Sequence, residues 1–201
     1  AQQLAEGAEA SVFAAADERS MASAVRAERV QEEDVRALAG NGLAIICAAG
    51  GGGVSDVCDL ARRGLRLVLV TPDAPAGAYT RELLAKVEGA GDCGAGYRQA
   101  VFSNVISYEP NVRAVVAKVA LGEADAGIAY ATDLRAVQAE GNLQGVLVPA
   151  ELNVPATYFV APVTDAPDGA LARAFVEMLL SPEGQAALRE CGFLPVPGQE
   201  R

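Results

Sequence analysis

Residues 103–133 read SNVISYEPNVRAVVAKVALGEADAGIAYATD, and this stretch decides the fold. Asn111 suits a helix N-cap, because its side-chain oxygen can accept a first-turn amide. Val112, Val115, Val116, Val119 and Ala120 then follow the i, i+3, i+4, i+7, i+8 spacing of one apolar helix face, and Gly122 ends the helix. Ala126–Tyr130 (AGIAY) reads as a short buried strand. A capped helix leading straight into a buried strand is half of an α/β repeat.

The same alternation extends in both directions. Leu67–Thr71 (LVLVT) is nearly all apolar, as a parallel strand covered on both faces must be. It leads into PDAPAGAYTRELLAKVEGAG, where Pro75 and Gly77 shape a turn and Thr80, Leu83, Leu84 and Val87 sit at helical spacing up to Gly89 or Gly91. Further upstream, Ser11–Ala15 and Leu43–Ala48 read as strands and Glu18–Val30 as a helix. Gly50–Gly53 reads as a turn, and Ser55 as the cap of a short helix that Gly64 stops. Downstream come strands at Gly145–Val148 and Thr157–Ala161. A helix striped by Leu171, Ala174, Phe175, Met178 and Leu179 follows, and Ser181-Pro182-Glu183 starts a last one that Gly192 closes. The expected fold is α/β, with mainly parallel sheets flanked by helices and no internal repeat.

Composition narrows the chemistry. The net charge of −10 argues against a nucleic-acid surface, which needs clustered Lys and Arg. It does not exclude an anionic ligand, because neutral backbone amides at helix starts can hold one. Histidine is absent, which removes the usual general base, the Ser-His-Asp triad and His-based zinc sites. There is no nucleophile elbow, Walker loop or dinucleotide glycine fingerprint, so an enzyme is the least supported class. Cys47, Cys58, Cys93 and Cys191 contain no C-x-x-C pair. They fit buried thiols or a single disulfide such as Cys58–Cys93, and spacing does not choose between these. No apolar run is long enough to cross a bilayer.

Three places could bind a ligand. At Pro72–Tyr79 the small residues Ala74, Ala76, Gly77 and Ala78 let a ligand approach first-turn amides that have no intrahelical partner. At Pro110–Arg113 the Asn111-capped helix offers more such amides. Tyr130 ends a strand, where open α/β sheets place their ligand crevices. Each also has a plain reading. Helix starts with small residues occur in every α/β protein, a lone tyrosine is commonly core, Arg113 fits a solvated first-turn residue, and Glu32-Glu33-Asp34 fits a solvated cap better than a metal site.

The runs LVLVTPDAPAGAYTRELL (67–84) and SNVISYEPNVRAVVAKVALGEADAGIAYATD (103–133) resemble the molybdate-binding periplasmic proteins of ABC importers, whose pattern is N-V-R-x-x-x-x-x-V…G-x-A-D-x-G-I-x-Y. LAEGAEASVFAAADERSMASAV (4–25) is similar to that family's segment after its second ligand loop. LLSPEGQAALRECGF (179–193) is similar to the last helices of many type II periplasmic binding proteins.

The resemblance implies two α/β lobes, one from 42 to 155 and a discontinuous one from 1–41 and 156–201. It implies an oxyanion, molybdate or tungstate, held in the cleft without a cofactor or a direct cation site. Donors carried over are the amides of Ala76 and Val112 and the hydroxyl of Tyr130. It further implies a periplasmic or extracytoplasmic receptor, free or lipid-anchored, monomeric and partnered by ABC transporter membrane subunits. The family's two opening serine loops have no match here. The chain is therefore expected to be an N-terminally shortened form, with its second lobe incomplete and its molybdate affinity weak or absent. Two alternatives stay open: a receptor for sulfate or phosphate, and the effector domain of a transcription regulator with the same fold.

Overall fold

The computed structural model describes residues 1–48, 53–141 and 143–196, so the Gly50–Gly53 turn lies outside the described residues except for Gly53. In chain order the elements are α1 (Gln2–Ala5), β1 (Val12–Ala15), α2 (Glu18–Arg26), β2 (Arg36–Asn41), β3 (Leu43–Ala48), β4 (Leu67–Val70), α3 (Pro75–Ala90), α4 (Tyr97–Ser103), β5 (Val105–Glu109), α5 (Val112–Ala120), β6 (Ala126–Tyr130), α6 (Ala131–Glu140), β7 (Leu143–Leu147), β8 (Ala156–Pro162), α7 (Gly169–Leu180) and α8 (Pro182–Glu190). They form two compact units, one of Gly42–Pro155 and one joining Ala1–Asn41 to Ala156–Arg201. Among the described residues no helix is long and apolar enough to cross a membrane.

The larger unit is built on a five-stranded sheet in the order β5-β4-β6-β3-β7. Parallel pairing is confined to β5-β4-β6; β3 runs antiparallel to both β6 and β7. This corrects the expectation of mainly parallel sheets. Within the larger unit β3 is joined to β4 without a crossover helix, by a segment whose one described helical element is the short 3-10 turn Cys58–Ala61. All of Leu67, Val68, Leu69 and Val70 are buried, because α3 and α5 both pack on β4. The chain moves across the sheet in opposite senses through these two helices, and right-handed crossovers then place them on opposite faces. Gly127 lets α5 sit directly on β6, since a Cβ there would come within 2.5 Å of Val115 Cγ1.

Between β3 and β4 the predicted Ser55-capped helix does not form, and only Cys58–Ala61 winds into a 3-10 turn. Asp59 instead accepts from the Ser55 amide (2.7 Å) and hydroxyl (2.8 Å), and Asp56 accepts from the Cys58 amide (2.7 Å). Such local side-chain bonds to the backbone compete with helix formation. The turn is tied down by a Cys58–Cys93 disulfide, by Tyr97 Oη donating to the Val57 carbonyl (2.7 Å) and by Asn104 Nδ2 donating to the Leu60 carbonyl (2.9 Å). Of the two remaining cysteines, Cys47 is buried and Cys191 is exposed.

The smaller unit carries an antiparallel sheet in the order β1-β8-β2. On one face Met21 and Ala24 of α2 pack against Ala15, Ala161 and Val163; on the other, Val176, Leu179, Leu180 and Leu188 pack with Leu38 and Val160. Three expectations change here. The helix predicted to Val30 stops at Arg26, where the Ala27 and Glu28 amides turn back to Ser23 and Val25, Glu28 takes φ +58° and Arg29 reaches Asp165 at 2.6 Å. β2 forms at Arg36–Asn41, where the sequence pattern predicts no strand. The face that α7 buries is Ala172 and Val176, while Leu171, Phe175 and Met178 are exposed. A small residue at 172 lets the helix approach β8 closely.

Candidate ligand site at the carboxyl rim of the larger sheet

Because β5, β4 and β6 are adjacent and parallel, their carboxyl ends share one rim of the sheet. The Thr71 amide donates to the Glu109 carbonyl at 2.8 Å, which keeps β4 and β5 together past their last ladder pair. Each strand feeds a helix at this rim: β4 leads to α3, β5 to α5 and β6 to α6. Three positive helix ends thus gather on one side of the unit.

The helix ends differ in what their amides do. α3 begins at Pro75 itself, so Pro75 and Gly77 belong to the first helical turn and not to a turn before it. Proline fits the first helical position because its missing N–H would have had no partner there. Gly77 presses the helix start against the strand exit, and a side chain there would collide with the Thr71 carbonyl. None of the hydrogen bonds among the described residues takes the amides of Ala76 or Gly77. In α5, Asn111 Oδ1 accepts from the Ala114 amide at 3.0 Å, which leaves the Val112 and Arg113 amides unengaged by described residues. α6 is different: its Ala131 amide donates to the Gly42 carbonyl (2.8 Å), and the Tyr130 amide donates to Asp133 Oδ2 (3.1 Å).

The three residues singled out from sequence therefore stand on neighbouring elements at one rim, Ala76 on α3, Val112 on α5 and Tyr130 at the end of β6. Ala76 is 6% and Tyr130 8% exposed. Charge near the rim is largely internally matched. Lys118 Nζ lies 2.7 Å from Glu109 Oε1, and this hydrogen bond holds the Glu109 carboxyl below the usual carboxylate range. Burial pushes the Asp133 carboxyl up, against the pull of the Arg113 charge. Among the described residues no cluster of His, Cys, Asp or Glu could hold a metal ion.

Two residues that sequence reading missed complete the rim. Asp133 caps α6 from inside its first turn. Asn153 accepts from the Leu43 amide (2.8 Å) and donates to the Leu43 carbonyl (2.9 Å) and the Val148 carbonyl (3.3 Å), fixing the start of β3 beside Tyr130. Asp133 carried a readable signal, an acid three residues after a strand end; Asn153 carried none.

The architecture is that of a type II periplasmic binding protein. The chain belongs to the family of bacterial extracellular solute-binding proteins, whose family model matches residues 1–194. It is 33% identical over 194 residues to the molybdate-binding protein ModA of Mycobacterium tuberculosis, covering 96% of this chain and 69% of that one. Among solved structures it is similar to the sulfate-binding protein SubI of M. tuberculosis, with TM-score 0.81, 21% identity and coverage of 98% of this chain and 72% of that one. It is also similar to the periplasmic molybdate-binding protein of Azotobacter vinelandii, with TM-score 0.76, 21% identity and coverage of 96% and 81%.

Proposed function

We propose that this chain is the solute-binding component of an ABC importer and that its ligand is a tetrahedral oxyanion, molybdate or tungstate. The observation that carries the reading is the pair of helix starts, α3 and α5, with first-turn amides unengaged at one sheet rim. Each contributes roughly half a positive charge, and each charge-assisted hydrogen bond to an anion contributes about 1.5–3 kcal/mol. The Ala76 and Val112 amides and the Tyr130 hydroxyl are the donors this unit supplies. No cationic side chain is required, so release does not have to break an ion pair. The role is binding, without catalysis or a cofactor, in an extracytoplasmic compartment and with ABC membrane subunits as the partner. The net charge of −10 then slows arrival of the anion more than it weakens the site.

The test is a titration of the 15N-labelled chain with molybdate, tungstate, sulfate and phosphate, followed by amide NMR. The expected result is saturable shifts at Ala76, Gly77, Val112 and Arg113 with molybdate and tungstate, present even where affinity is only millimolar. Silence at all four positions with every anion sinks the reading. Sulfate is the second candidate, favoured by the likeness to the sulfate-binding protein. A stronger response to sulfate than to molybdate would make it the ligand.

A further inference from the structure

Two cations and two acids stand close to the helix starts at the rim of the larger sheet. Lys118 of α5 is taken by Glu109 of β5, with Nζ 2.7 Å from Oε1 and 3.1 Å from Ser107 Oγ. Arg113 is exposed on the first turn of α5, one residue after Val112. Its positive charge acts on the carboxyl of Asp133, in the first turn of α6. Asp133 is half-buried, and its Oδ2 accepts the Tyr130 amide at 3.1 Å. One carboxylate thus adjoins Tyr130 and lies within electrostatic reach of the residue beside Val112.

The effect of that carboxylate follows from its place. In α6 a full negative charge sits in the first turn, takes the Tyr130 amide and offsets the positive end of the helix. Its field also draws on Arg113 and lessens that cation's attraction for an anion. Like charges at a partly buried rim repel through a lower effective dielectric than that of water, so a carboxylate near a bound dianion costs affinity. Adding a proton to Asp133 removes the repulsion, keeps an oxygen for the Tyr130 amide and leaves the Arg113 charge unmatched. Few other groups around Asp133 ionise. Of the strands that pack on α6, β7 has no ionisable side chain and β6 has only Tyr130. β3 has only Cys47, which pairs with Ala126 and Gln144 toward the opposite rim. On α6 the nearest charge is the exposed Arg135. Across the rim, the Lys118 hydrogen bond keeps Glu109 ionised.

We infer that Asp133 is a positioning residue that limits the affinity of the oxyanion site: ionised, it weakens capture by the donors of α5 and β6, and protonated, it lets them grip more tightly. The inference rests on the anion site proposed above and assigns its regulation. Burial raises the Asp133 carboxyl, so the tight form gains population on mild acidification. Affinity is then highest at low pH and is lost as pH rises through the folded value.

The experiment titrates molybdate into the parent chain and into Asp133→Asn, read from the amide signals of Ala76 and Val112, at pH 7.5 and pH 4.5. Asparagine keeps an acceptor for the Tyr130 amide and removes the charge. The variant should bind at least about threefold more tightly at pH 7.5, and the two affinities should converge at pH 4.5. Comparing their ratio at each pH cancels protonation of the ligand itself. Arg113→Gln should weaken binding more in the Asp133→Asn background than in the parent, because only there is the cation unmatched. Binding by the parent that Asp133→Asn leaves unchanged at pH 7.5, or a ratio that does not move with pH, overturns this inference alone. Silence of both chains at both pH values sinks the anion site and the inference together.

Discussion

β4 in the larger unit has helices packed on both faces and hydrogen-bonded strands on both sides, whereas β1 in the smaller unit has, among the described residues, a strand on one side only and an exposed position at Ala14. In the larger unit the starts of α3 and α5 hold first-turn amides that no described residue engages. In the smaller unit the unengaged groups among the described residues include the outer edge of β1. A helix start offers a few amides converging on one point, whereas a strand edge offers a row of groups along a line. Unengaged backbone donors thus select different ligands according to whether they end a helix or line a strand.

If the larger unit owes part of its stability to restraints the smaller one lacks, removing those restraints should affect it selectively. The largest effect is expected from the disulfide. Cys58→Ser with Cys93→Ser reopens a loop with sequence separation 35. Loop-closure entropy puts the loss near 4 kcal/mol. Denaturant unfolding should show the transition of the larger unit moving to lower concentration, with the smaller unit's signal unmoved; equal shifts in both would break the contrast. Next comes Asn153→Ala, which strips partners from the Leu43 amide and carbonyl. Leaving such groups unsatisfied costs about 2 kcal/mol, read from the same unfolding curves.

The smallest effect is expected at Asp133. Burial raises its carboxyl in the folded state, so the folded chain holds that proton more readily than the unfolded chain does. Its ionisation therefore removes stability as pH rises through the folded value. Asp133→Asn keeps an oxygen to accept the Tyr130 amide and removes the charge. The variant's melting temperature should gain on the parent's between pH 3.5 and pH 7, by no more than about 2–4 °C. A gap that narrows as pH rises would reverse the sign and refute the burial argument.

Much of the larger unit was legible because its elements carry continuous or periodic apolar signals: Leu67–Val70 as a buried strand, Asn111 as a cap, Val115 and Val119 as a helix face. β2 was not legible, since RALAGN has a single large apolar residue, Leu38, and a register shift between Ala37 and Ala39. The stripe on α7 was visible, but its direction was not. Sequence spacing groups Leu171 with Phe175 and Met178, and only the packing of Ala172 against the sheet shows that this group points outward. At the site, the Ala131 amide of α6 is engaged by Gly42, far away in sequence, so the acid at Asp133 was the one local sign that α6 differs from α3 and α5.

The Cys58–Cys93 crosslink also bears on how the protein is made. Both of its cysteines lie in the larger unit, so within the described residues an oxidising compartment is a maturation requirement for that unit alone. Burial pushes the Cys47 thiol up and keeps it protonated, leaving exposed Cys191 of the smaller unit as the thiol most able to form a wrong linkage during oxidation.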